Sequence, residues 1–300
     1  MVYEWVLENP FLFLMRLVTY GSDLRAGVLK GACVYDAAWL MRLPDARHVS
    51  TVDILSMDHS ELHRIADSVD RASFADAIGK ERELALGPPI PNPSKILCVG
   101  MNYRDHAAEG GHAAPSRPEI FAKFANTLIG PGQPIRLPSN ADFVDYEAEV
   151  AIVIGRQCKE VARAQALTHV AGLTIFNDVS ARDVQMATTQ WTMGKSFDTF
   201  GPCGPAIVTL DELGGDLALD IQLTVNGEVR QRSNTRHLVF GVEDLVSYIS
   251  SIMTLNPGDI IATGTPAGVG FYRHPPERLR RGDTVCIDVN GLGTLCNPVQ

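Results

Sequence analysis

The sequence contains no C-x-x-C pair. Its six cysteines stand apart at positions 33, 98, 158, 203, 286 and 296. That spacing excludes the common zinc-ribbon and dithiol motifs. Most of them sit in apolar runs and read as reduced, buried residues of an intracellular protein. No disulfide framework is expected in a chain this long. Membrane-length apolar runs are absent too. The patch Pro10-Phe11-Leu12-Phe13-Leu14-Met15 is too short to span a bilayer. Glu4 and Glu8 spoil the basic start of a signal peptide, so a cytoplasmic protein is expected. Basic charge is scarce: 26 Lys and Arg face 35 Asp and Glu, a net charge of -9. This argues against nucleic acid as a partner, since phosphate binding needs a basic surface. A small anion remains a suitable partner where a local cation receives it.

Regular strand–helix alternation and internal repeats are missing as well, so a doubly wound parallel sheet is not expected. What is present is a core: apolar residues make up 45% of 300 positions, enough for one large domain or two. Gly87-Pro88-Pro89-Ile90-Pro91-Asn92-Pro93 cannot continue a helix or central strand, and a domain boundary is placed there. Residues 1–90 then form a small α+β domain, with 1–14 as a peripheral extension. It has short strands near Leu17–Thr19, Gly27–Leu29 and Cys33–Tyr35, and helical patterns near Ser60–Ser68 and Phe74–Ala85. Residues 91–300 are mostly strand, with helical periodicity at Val161–Val170 and Val242–Met253. Asn226-Gly227 and Asn290-Gly291 each lie between strand-like runs, the strongest short hairpin signal.

The most informative stretch is Asp145-Tyr146-Glu147-Ala148-Glu149-Val150-Ala151-Ile152-Val153-Ile154-Gly155. On a strand Glu147 and Glu149 share a face, which continues into Ala151 and Val153. Two like charges facing a core need a positive partner, and a hard metal ion suits clustered carboxylates. Two ordinary acids at a solvated strand end are the alternative. Asp178 follows the apolar run Leu173–Asn177 and is either a third ligand or a helix N-cap. Arg182 and Gln185 share a helix face, where the arginine could hold a carboxylate or make a surface ion pair.

Lys195 sits in Met193-Gly194-Lys195-Ser196, but Thr189 replaces the first glycine of a phosphate loop, so nucleotide binding is rejected. Lys195 reads either as a substrate clamp or as a stem lying on apolar surface. His106 and Glu109 have the i, i+3 spacing that lets a carboxylate orient an imidazole for base work, or that makes a plain ion pair. Gly264-Thr265-Pro266-Ala267-Gly268-Val269-Gly270 offers backbone N–H groups to an anion, or is a tight turn.

Six of these segments at compatible spacing resemble the fumarylacetoacetate hydrolase family over Lys95–Val299. They are Gly100–His106, Tyr146–Glu149, Asn177–Gln185, Gly194–Phe197, Gly264–Gly270 and the Asn-Pro-Gly-Asp turn at 256–259. The resemblance implies an α+β, β-rich fold: a mixed β-sandwich roll behind a small N-terminal domain, usually a homodimer. It implies Mg²⁺ or Mn²⁺ on Glu147, Glu149 and Asp178, and a small-molecule 2-oxo acid substrate chelating the metal. Tyr103, Arg182, Gln185, Gly264 and Thr265 match positions that line the site. His106 and Glu109 match the acid/base pair of the acylpyruvase-like branch, with their segment acting as a lid, and Lys195 is placed to stabilise an oxyanion. The activity expected first is metal-dependent hydrolysis of a C–C bond in an acylpyruvate-type acid. A decarboxylase or isomerase, and a catalytically silent relative, are the alternatives.

Overall fold

The computed structural model describes residues 14–44, 47–215 and 217–300. A peripheral extension at 1–14 thus falls outside the described residues, apart from the exposed Leu14. A twelve-stranded sheet forms the backbone of the molecule. Its central order is Arg16–Tyr20, Gly201–Thr209, Val170–Asn177, Ala148–Ile154, Ile260–Ala262, Ile96–Gly100 and Glu119–Lys123. Neighbours along this path are antiparallel except Ile260–Ala262, which runs parallel to Ile96–Gly100. A second, four-stranded antiparallel sheet is made of Glu228–Asn234, Asp220–Val225, Thr284–Val289 and Gly293–Pro298. Both Asn-Gly turns do join adjacent strands of it.

The period-two alternation of residues 148–154 explains the layering. Val150, Ile152 and Ile154 face the four-stranded sheet, packing in one core with Leu223, Val285 and Ile287. Ala151 and Val153 face the other way, into a core shared with Leu17, Ile54, Leu62 and Ile65. The strand is therefore buried on both faces, as its unbroken apolar run requires. The result is the expected sheet-rich α+β sandwich. The N-terminal strands join the same large sheet, with Leu17 paired to Ile207 across the proline-rich segment. Thr19 and Thr51 donate hydroxyl hydrogen bonds to the carbonyls of Pro88 and Pro89.

Three expectations need correction. Residues 74–85 form no helix: two single 3-10 turns, Phe74–Asp76 and Glu81–Glu83, flank the short strand Gly79–Lys80. Hydrogen bonds from Ile78 N to Val34 O and from Glu81 N to Ala32 O tie this segment to a strand edge, which overrides its helical periodicity. Residues 163–169 form a 3-10 rather than an α-helix. The cysteines are not all reduced, since Cys286 and Cys296 are joined in a disulfide. The hairpin register sets these two residues directly opposite each other, a coincidence that sequence separation does not reveal. Cys33, Cys98, Cys158 and Cys203 are free.

Candidate active site

One cavity of about 390 Å³ opens where the edges of the large sheet, two short helices and the glycine-rich loop meet. Glu147 and Glu149 enter it from the start of the strand Ala148–Ile154. Asp178 follows the neighbouring strand Val170–Asn177. Backbone pairing of Asp178 N with Glu147 O (3.0 Å) brings the two strand ends together. Oxygens of Glu147, Glu149 and Asp178 all lie within 4.8 Å of one another, and all three side chains are buried. Asp178 does not cap a helix; the N-cap of Arg182–Met186 is Ala181.

Three buried cations answer these acids. Lys195 Nζ donates to Glu147 Oε2 and Asp178 Oδ2, each at 2.7 Å. Lys123, which sequence reasoning left within a strand without a role, donates to Asp178 Oδ1 at 2.6 Å and to Val179 O at 3.0 Å. Arg182 Nη1 lies 2.6 Å from Glu147 Oε1 and 3.1 Å from its acceptor Gln185 Oε1. Lys195 is thus neither a surface stem nor a free clamp, and Arg182 is no surface residue. The electrostatic consequence is uneven. Burial would raise Glu147, but Lys195 and Arg182 outweigh it and hold the carboxyl well below the usual range. Glu149 has no such partner. Burial, then repulsion from Asp178 and Glu147, push it well above the usual range.

The glycine-rich loop does receive anions, and they are the protein's own. Gly264 N donates to Glu149 Oε2 (2.8 Å), Gly268 N to Glu109 Oε1 (3.0 Å) and Gly270 N to Asp145 Oδ1 (2.8 Å). The loop thereby aligns a triad carboxylate, the partner of His106 and a deeper acid. That deeper acid, Asp145, is fully buried and also accepts from Phe271 N and Arg182 Nε, both at 2.9 Å. It links the cavity wall to the arginine that fixes Glu147. Only its place before the Glu-x-Glu pair hinted at it.

His106 and Glu109 lie on the short helix Arg104–Glu109, where the i, i+3 spacing sets His106 Nδ1 3.3 Å from Glu109 Oε2. His106 lines the cavity, as do Arg182, Gln185, Lys195 and Thr265. Tyr103 does not. It is buried at the start of that helix and its hydroxyl has no hydrogen-bond partner. Gly264 acts through its backbone on Glu149 instead of lining the cavity. Phe121, Trp191, Phe271 and Tyr272 also line it; sequence reasoning gave them no role.

A family model described as fumarylacetoacetate (FAA) hydrolase C-terminal matches residues 95–300. The chain belongs to the fumarylacetoacetate hydrolase family. It is 45% identical over 249 residues to oxaloacetate tautomerase fahd2, mitochondrial, of Xenopus laevis, covering 82% of this chain and 77% of that protein. Among solved structures it resembles the fumarylacetoacetate hydrolase of Exiguobacterium antarcticum, with TM-score 0.80 and 33% identity over 95% of this chain and 99% of the other. It also resembles maleylpyruvate hydrolase from Sphingobium, with TM-score 0.78 and 30% identity over the same shares. Family members of this fold are associated with divalent metals, and the donor set fits one. Three buried carboxylates present only hard oxygen donors, and Glu149 is left without a cation of its own. No helix among the described residues is long and apolar enough to cross a membrane.

Proposed function

We propose that the protein is a divalent-metal-dependent enzyme that moves a proton between C3 and the 2-oxygen of a 2-oxo acid, a keto–enol tautomerase. The observation that carries the reading is one cavity lined by Glu147, Glu149 and His106, with Asp178 within 4.8 Å of the two glutamates and Glu109 3.3 Å from His106 Nδ1. Glu147, Glu149 and Asp178 would hold Mg²⁺ or Mn²⁺. Such an ion supplies positive charge that favours negative charge on the 2-oxygen. Lys195 and Lys123 fix Asp178, and Arg182 fixes Glu147, so the triad is preorganised by hydrogen bonds. Glu109, anchored by Gly268 N, holds Nδ1 of His106 and leaves Nε2 as the ring nitrogen that exchanges a proton. Ketonisation adds one proton at C3 and removes one from the 2-hydroxyl, so it consumes no water. The similarity to a named oxaloacetate tautomerase supports tautomerisation of a small-molecule 2-oxo acid.

Hydrolytic C–C cleavage, expected first from sequence, is the second reading. It is supported by the same His–Glu pair, which suits water activation, and by the likeness to a maleylpyruvate hydrolase. Enol-oxaloacetate decay and pyruvate release from an acylpyruvate, followed separately with Mg²⁺ present, distinguish the two. Loss of enol without pyruvate is expected. Glu109→Gln should slow it by about two to four orders of magnitude. A wild type that cleaves acylpyruvates yet leaves enol-oxaloacetate untouched would hand the site to the hydrolase reading.

A further inference from the structure

The cavity is asymmetric. One wall carries Glu147, Glu149, Arg182 and Lys195; the rest carries the rings of Phe121, Trp191, Phe271 and Tyr272 beside Met101, Met186 and His112. Phe121 and Trp191 meet edge to face with centroids 5.6 Å apart, and Phe271 and Tyr272 do the same at 5.3 Å. The Lys195 ammonium lies 5.0 Å from the Phe121 ring centre, so this ring borders the charged wall directly. Trp191 is held against the sheet by an absent side chain. A Cβ on Gly100 would stand 2.4 Å from the indole, so only glycine lets the ring lie there.

Three observations say what this wall receives. First, a volume of about 390 Å³ is in the range that encloses ligands much larger than a four-carbon acid. Second, the strong cations among the lining residues are committed: Lys195 to Glu147 and Asp178, Arg182 to Asp145 and Glu147. Third, outside the polar wall the ionisable side chains of the lining, tyrosine aside, are His106, His112 and the exposed Glu119, none of them a lysine or arginine. A substrate tail reaching away from the triad therefore meets ring faces and no free lysine or arginine.

Resting on the tautomerase reading above, we infer that the site takes 2-oxo acids bearing a flat apolar group at C3, arylpyruvates, and that Trp191 with Phe121 forms the subsite selecting it. The carboxylate and 2-oxygen sit at the polar wall, and the aryl ring packs on the indole. Enol-phenylpyruvate would then ketonise here, gaining a proton at C3 and losing one from the 2-hydroxyl.

The test compares phenylpyruvate with pyruvate by isothermal titration of the Mg²⁺-loaded protein, and follows enol-phenylpyruvate and enol-oxaloacetate by absorbance. Phenylpyruvate should bind at least about tenfold more tightly than pyruvate, the scale of one well-made aromatic contact plus its buried area. Trp191→Ala should collapse that ratio toward one, and Trp191→Phe should keep most of it. Gly100→Ala, which leaves the indole in place chemically but displaces it, should act like Trp191→Ala. A wild-type ratio near one, or a ratio unchanged in folded Trp191→Ala, overturns the subsite. If oxaloacetate turns over while phenylpyruvate neither binds preferentially nor reacts, the subsite alone falls. Preferential aryl binding with no turnover of either enol upholds the subsite and removes the tautomerase reading.

Discussion

Glu149 and Glu147 contribute in opposite senses to the pH response of the metal-free protein. Burial first, then Asp178 and Glu147, raise the Glu149 carboxyl well above the ordinary range. The folded chain therefore binds this proton more tightly than the unfolded chain. Its stabilising effect is complete at low pH and is lost as pH rises from the ordinary glutamate value through the raised one. Glu147 works oppositely. Its pKa is lowered because Lys195 and Arg182 outweigh burial, so its contribution is present above the ordinary value and lost on acidification. Glu149→Gln should raise the melting temperature of metal-free protein at pH 7.5, by roughly 2–4 °C for each kcal/mol recovered. The gain should shrink toward pH 4.5. Mn²⁺ affinity should fall by more than the roughly 10–100-fold typical of outer-shell changes. Calorimetry and metal titration check both, and an unchanged affinity would remove Glu149 from the metal site. The pairing of Glu147 with Glu149 was legible in the sequence from period-two geometry. Lys123 was not, because nothing in the strand Glu119–Lys123 distinguishes a lysine pointing at Asp178 from one pointing at water.

Among elements, the two short helices Arg182–Met186 and Thr192–Lys195 carry Arg182, Gln185 and Lys195, and they touch through a glycine. A Cβ on Gly194 would stand 2.5 Å from Gln185 N and 2.6 Å from its Cα. These are backbone atoms that cannot swing aside. Gly194→Ala should therefore push the helices apart, costing about 1–3 kcal/mol, the range for an overpacked contact. It should raise KM for the 2-oxo acid as Lys195 and Gln185 lose register. A variant with wild-type melting temperature and KM would show that the helices do not need this close approach. The sequence reading met Gly194 in a false phosphate-loop pattern. Its actual reason is packing between elements, which no local pattern encodes. The same gap explains residues 74–85: their helical spacing is real, but strand-edge hydrogen bonds to Ala32 and Val34 win.

For the whole molecule, assembly is the open quantity that the family resemblance addresses. Phe124, Met186 and Met193 remain exposed on segments that adjoin the cavity wall. Exposed apolar side chains of this size suit contact with another copy. Sedimentation at micromolar concentration should give about twice the chain mass of 32.6 kDa. A single species of chain mass across a hundredfold concentration range would contradict a homodimer.

The sequence by itself determined the sheet-rich fold, both Asn-Gly hairpins and the chemistry-bearing words, because alternation, turn residues and carboxylate spacing are local properties. It also placed His106 beside Glu109, since a helical turn sets that distance. Tertiary structure alone decided that the glycine loop aligns Glu149, Glu109 and Asp145, that Tyr103 lies off the cavity, and that Trp191 closes on Gly100. It also decided that Cys286 meets Cys296. Each of these joins residues through strand register or loop crossing, and the partner of a buried charge is chosen by where the chain returns in space.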